Sequence, residues 1–174
     1  MCHRRHDMKF TKEPKTGEAG AGDFLKLKDG EFISGVFRGE PHEFYSKYNA
    51  NNNTSFLVDE NSPGARFRFR VNFVTRDKET KDFKCLIWEQ GATVYNLLKE
   101  LNEEYGLERT VVKIKRKGEK LDTEYLIIPD GKANFNDVVK KAVEQVELQD
   151  LTTGLKEEEG QPPKASGNED EIPF

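Results

Sequence analysis

Between Arg66 and Thr75 the chain alternates strictly: Phe67, Phe69, Val71 and Phe73 interleave with Arg66, Arg68, Arg70 and Asn72. A period of two is the signature of a β-strand with one apolar and one polar face. No helix can use this pattern, because at 3.6 residues per turn the phenylalanines would scatter around the axis. The chain must therefore build a sheet that hides one side of this strand. Hydrophobic and charged residues each make up 34% of the 174 residues, so the core is small or part of the chain stays outside it.

The rest of the ordered sequence organises around that strand. Glu31 to Gly39, with Phe32, Ile33, Val36 and Phe37, suits a strand, and Asp82 to Glu89 should pair back on 66–75 across the charged turn 76–81. Thr93 can cap a helix carrying Val94, Leu97, Leu98, Leu101 and Tyr105 on one face, with Gly106 at its end. Thr110 to Lys117 and Thr123 to Ile128 read as a second hairpin, and a last helix is expected from about Asn136 to Leu148. Three strands, a helix, a closing hairpin and a terminal helix make a mainly β, α+β chain. The order is that of an OB-fold, a five-stranded partly open barrel; another small α+β sheet is the rival. On the OB mapping, loop L12 is Glu40 to Ala65 and L45 is Gly118 to Asp122.

Three domains of behaviour are expected: a flexible arm over 1–22, a folded domain over 23–148, and a disordered acidic tail over 149–174. From Asp150 onward there are seven acids and two bases against a net charge of -4 for the chain, so the body is close to neutral. No run of about 18 apolar residues suggests a membrane span, and the N-terminus lacks the apolar stretch of a secretory signal. Cys2 and Cys85 are too few for a disulfide framework. A cytoplasmic protein is the expectation.

Catalytic chemistry finds little support. Within 23–148 there is one histidine, His42, and one cysteine, Cys85, which gives no convincing nucleophile–base pair. Phosphate-cradling glycine motifs are absent. Cys2, His3 and His6 lack a fourth ligand for zinc. No enzyme, cofactor or metal is expected.

The basic and aromatic residues are more informative. Arg66, Arg68 and Arg70 project from one strand face about 7 Å apart, close to the phosphate repeat of an extended single strand; the alternative is a solvated exterior. Lys113, Lys115 and Lys117 share a face of a second strand, either as a phosphate track or as the charged guard of a sheet edge. Phe44, Tyr45 and Tyr48 lie beyond the first strand, where bases can stack on rings, or where a ring can fold back as a lid. Trp88 is divided between core and stacking. The end, Asn168-Glu169-Asp170-Glu171-Ile172-Pro173-Phe174, places two apolar anchors around a stiff proline behind three acids; such a peptide can dock into an apolar pocket rimmed by Lys or Arg.

That end resembles the acidic tip of bacterial single-stranded DNA-binding proteins. The segments GVFRGEPHEFY (35–45), RFRFRVNF (66–73), WEQGATVYNLLKELNEEYGLE (88–108) and VKIKRKG (112–118) resemble the short bacteriophage single-stranded DNA-binding proteins with an OB core. The resemblance implies a non-enzymatic protein that coats and protects single-stranded DNA during phage replication, recombination and repair, in the host bacterial cytoplasm. Phosphates would meet Arg38, Arg66, Arg68, Arg70, Lys113, Lys115 and Lys117; bases would stack on Phe44, Tyr45, Tyr48, Phe37 and Trp88. Asp170, Glu171, Ile172, Pro173 and Phe174 would recruit replication and recombination proteins, and copies would self-associate on DNA. Some family members carry a cysteine-rich metal-binding insert in L12; Asn49 to Glu60 holds no Cys or His, so zinc is not carried over. An RNA-binding OB protein and a protein-interaction adaptor stay open as alternatives.

Overall fold

The computed structural model describes residues 23–131 and 133–157; the expected arm at 1–22 and the tip at 168–174 lie outside the described residues. Six antiparallel strands and two helices follow the order β1 (Phe32–Asn49), β2 (Thr54–Val58), β3 (Arg66–Arg76), β4 (Phe83–Gly91), α1 (Ala92–Tyr105), β5 (Val112–Lys117), β6 (Glu124–Pro129), α2 (Asp137–Glu144). The expected α+β class is what the chain adopts. Among the described residues, no helix is long and apolar enough to cross a membrane.

The sheet runs β4-β3-β1-β5-β6, with β2 attached to β1. β1 organises it. Its start pairs with β5, from Phe32↔Lys115 to Gly35↔Val112. Its middle and far half pair with β3, and its last residues with β2, from Tyr45↔Val58 to Asn49↔Thr54. A register shift between Arg38 and His42 interrupts the β3 ladder. Gly39 there takes φ 74°, which glycine adopts without steric cost, and Pro41 has no N–H to donate.

The expected loop at 40–65 is therefore mostly ordered strand. β1 continues through 40–49 and turns back as β2, forming a hairpin arm. The turn uses Asn53 at φ 54°, a conformation asparagine tolerates better than most residues.

Sheet parity sets the core. Phe69, Val71 and Phe73 on β3 face inward, where they meet Phe37, Trp88 and Ile114. No ladder joins β4 to β6 among the described residues. Yet the Trp88 ring on β4 meets the Tyr125 ring on β6 edge-on, with centroids 5.3 Å apart. The sheet thus curls until its first and last strands touch through side chains. Burying such rings stabilises the fold by about 1.5–3 kcal/mol each.

The opposite face of the sheet is covered too. Val143 of α2 packs on Val36, Val74 and Cys85. Asn136 caps α2 by accepting from the Val139 N–H at 3.0 Å, and the helix ends at Glu144, short of the expected 148. α1 begins at Ala92 behind Gly91, which supplies no side-chain cap; Thr93, the expected cap, is already inside the helix. Gly106 closes α1 as expected, its N–H donating to the Asn102 carbonyl.

Of the tail expected from 149 onward, residues 149–157 are described and hydrogen-bonded, and 158–174 lie outside the described residues. Gln149 donates to the Asn72 side chain through its backbone N–H at 3.1 Å, and its amide donates to the Cys85 carbonyl and the Asp23 carbonyl. The chain then crosses β3 and reaches β2, where the Leu57 N–H donates to the Lys156 carbonyl at 2.7 Å. Residues 149–157 form a strap across the outer face of the sheet. Its backbone groups are bonded, which an unordered segment could not offer.

Candidate nucleic-acid interface

The outer face carries the two basic strands, and the structure treats them differently. On β3, ladder register places Arg70 opposite Glu89. Arg70 Nε meets Glu89 Oε2 at 2.8 Å, and Arg68 Nη2 meets Oε1 at 3.3 Å. Arg70 is buried. Its Nη1 donates to the carbonyls of Leu151 and Thr153 in the strap, and the Phe24 and Phe44 rings lie 5.0 and 5.6 Å from its guanidinium carbon. Arg38 donates from Nη1 to the carbonyls of Val143, Glu144 and Val146, at 2.8, 3.1 and 3.3 Å. These carbonyls lie at and just beyond the C-terminal end of α2, a favourable place for a cation.

Arg38 and Arg70, both expected as phosphate ligands, are thus held by acceptors of the fold itself. Arg68 is shared with Glu89, and Arg66 alone in the row is exposed. Sequence reasoning missed this because Glu89 lies far along the chain and meets Arg70 only through strand register.

The prediction that follows is specific. Arg70→Ala leaves Glu89 beside Arg68 alone and opens a gap under the strap. It should cost about 2–3 kcal/mol in urea denaturation and leave the salt dependence of nucleic-acid binding unchanged. A flattened salt slope with unaltered stability would return Arg70 to the interface.

β5 presents the contrasting case. Val112 and Ile114 point into the core, so Lys113, Lys115 and Lys117 point out. None of the ion pairs among the described residues involves these three lysines. Lys113 Nζ sits 3.9 Å from the centroid of Phe32, and Lys78 Nζ lies 5.7 Å from the same ring. Phe32 is 49% exposed, and Leu126 and Ile128 on β6 are 45% and 53% exposed. Arg116, the other base in this run, turns inward and donates to the Leu27 carbonyl at 2.6 Å and to Thr123 at 3.2 Å.

The aromatic candidates divide by burial. Phe37 and Trp88 are each 2% exposed and stack with each other at 5.9 Å. Both rings, expected as stacking candidates, are placed in the core. Phe44 is buried beside His42 and Arg70. Phe44, Tyr45 and Tyr48 lie within β1 and not beyond it. Tyr45 is half-buried on the inner side, edge-on to Phe67 at 5.7 Å; its hydroxyl faces Glu60 at 3.5 Å. Desolvation, then the Glu60 carboxylate, raises its pKa. Tyr95, which sequence reasoning did not single out, extends the same row against Phe67 and Phe69 and donates to Glu43, a bond that raises its pKa. Tyr48 is 57% exposed at the arm, its hydroxyl donating to Asn53.

Cys85 is buried with its thiol against Asn72, and burial raises its pKa, the reverse of an activated nucleophile. No cluster of three or more His, Cys, Asp or Glu among the described residues could hold a metal ion. Comparison of the chain with protein-family models, curated proteins and solved structures finds no match.

Proposed function

We propose that this chain is a single-stranded DNA-binding protein of OB type, with weak sequence preference and a role in coating phage DNA during replication, recombination and repair. The observation that carries this reading is the β5 ladder: three outward lysines at alternate positions, without ion pairs among the described residues, beside exposed apolar side chains. Unneutralised like charges on one strand face favour a polyanion, and repeats about 7 Å apart suit an extended one. Strand order supports the OB reading. A long first strand pairs with β3 and β5 and carries β2 at its far end, β3 and β4 follow as a hairpin, and a helix precedes the closing hairpin. The β1–β2 arm then takes the place of L12, bringing Arg66 and Tyr48, and Gly118–Thr123 takes that of L45. Charge and stacking do not read base edges, hence the weak preference. The acidic segment ending in Ile172-Pro173-Phe174 would recruit replication and recombination proteins.

The test is a fluorescence-anisotropy titration of end-labelled oligonucleotides: oligo-dT, mixed-sequence DNA, matched RNA and duplex DNA, each at several salt concentrations. An external label is needed because Trp88 is buried. Both single-stranded DNAs should bind similarly and more tightly than duplex, with a log–log salt slope of about -0.7 per phosphate neutralised. Tighter binding of the RNA would replace this reading by the RNA-binding one. Failure to bind any nucleic acid at low salt would leave the adaptor reading.

A further inference from the structure

The geometry points to Phe32 as the base-stacking platform of a strand track that runs along β5, flanked by Lys78 and Lys113. This rests on the single-stranded DNA reading and names the ring that reading requires; Phe37 and Trp88 cannot serve, because both are sealed in the core.

Phe32 owes its position to its neighbour. Ile33 pairs with Ile114 and takes the inward place, so Phe32, opposite Lys115, must face out. The outer layer that buries Val36 further along β1 leaves Phe32 half uncovered. Phe32, Leu126 and Ile128 are all exposed on this face, and a group of exposed apolar side chains rimmed by charge marks an interaction surface. What lies over the Phe32 ring is two ammonium groups from separate elements, Lys113 on β5 and Lys78 in the β3–β4 turn. A π-face bracketed by cations is arranged for a nucleotide: the base takes the ring, and the ammonium groups turn to the flanking phosphates.

Register extends the site. Lys115 stands between Phe32 on one side and Leu126 on the other, and Lys113 between Ser34 and Ile128. The lysine ladder thus has Leu126 and Ile128 along its β6 side and the Phe32 ring on its β1 side. At its far end Glu124 stands opposite Lys117 and the Asp29 carboxylate accepts from the Gly118 N–H, which centres the track on Lys113 and Lys115. The occupant argued from this charge and ring placement is an unpaired DNA strand, whose bases are free to leave the backbone line.

Phe32→Trp tests this directly. The chain has one tryptophan, and it is buried, so a second at position 32 reports on the track. Saturating oligo-dT should quench its emission, with a midpoint matching the anisotropy titration of the labelled oligonucleotide. Phe32→Leu keeps apolar bulk and removes the π-face. It should weaken binding about 10-fold while leaving the melting temperature and the salt slope unchanged, whereas Lys113→Gln should flatten the slope by about 0.7. If the labelled oligonucleotide binds Phe32→Trp but the emission does not change, the platform assignment is overturned and the DNA reading stands. If the unmodified protein binds no oligonucleotide, the DNA reading falls, and this assignment with it.

Discussion

Replacing Gly35 with alanine should destabilise this protein by more than about 3 kcal/mol, a large part of the 5–15 kcal/mol that holds a typical domain together. Gly35 lies where β1 is paired on both sides, with Thr75 of β3 and Val112 of β5. A Cβ at this position would stand 2.7 Å from ring carbons of Phe73 and closer still to the carbonyl oxygen of Val74. Neither neighbour can move. Phe73 is sealed in the inner core, and Val74 belongs to the layer under α2. Overpacking a close-packed interior ordinarily costs about 1–3 kcal/mol; a clash with backbone in a doubly paired strand exceeds that range. Urea denaturation of Gly35→Ala, beside Gly131→Ala as control, checks the placement. No atom lies within 4 Å of a Cβ built at Gly131, so that variant should stay within about 0.5 kcal/mol of the parent. Equal midpoints for the two variants would show that β1 does not pass between β3 and β5 as described.

The second large effect concerns binding. Lys113→Gln, Lys115→Gln and Lys117→Gln together should reduce the slope of log affinity against log salt by about 2, at about 0.7 for each phosphate contact. Counterion release fades toward molar salt, so the same three contacts are worth about 100-fold in affinity at 0.1 M. The fold should survive, since these side chains lie on the outer face and take part in none of the ion pairs among the described residues. A matched variant with Arg38 and Arg70 replaced should behave in the opposite way, losing stability and keeping the slope per folded molecule. Were the lysine variant to keep its slope while the arginine variant lost it, the nucleic-acid track would move to the strapped face of β3.

The difference between these two basic strands shows where sequence patterns stop. Both alternate with apolar residues, and both present three cations at alternate positions. Period two tells which side chains share a face. It does not tell what lies on that face. Arg70 is opposed by Glu89 from β4 and covered by the Leu151 and Thr153 carbonyls of the strap. The lysines of β5 lie between Phe32 and Ser34 on one side and exposed β6 residues on the other. The arm at 40–58 was missed for a related reason. Pro41 and Gly39 read as loop punctuation, yet they mark a register shift inside one continuous strand. The turn signal, the asparagines at 51–53 before Thr-Ser-Phe-Leu-Val, was present in the chain but looked like loop composition.

By itself the sequence determined the elements whose periodicity is locally encoded: the alternating β3, the β4 and β5–β6 partners, the apolar face of α1, and the start of α2 near Asn136. It also determined the inward or outward parity of each basic residue on β3 and β5, because successive side chains of a strand must point to opposite faces. Only the tertiary structure decided which outward face stays open. That choice belongs to α2 and the 149–157 strap, whose contacts with β3 join residues about 80 positions apart. Burial of a cation depends on which partners arrive through space, and local spacing carries no information about them.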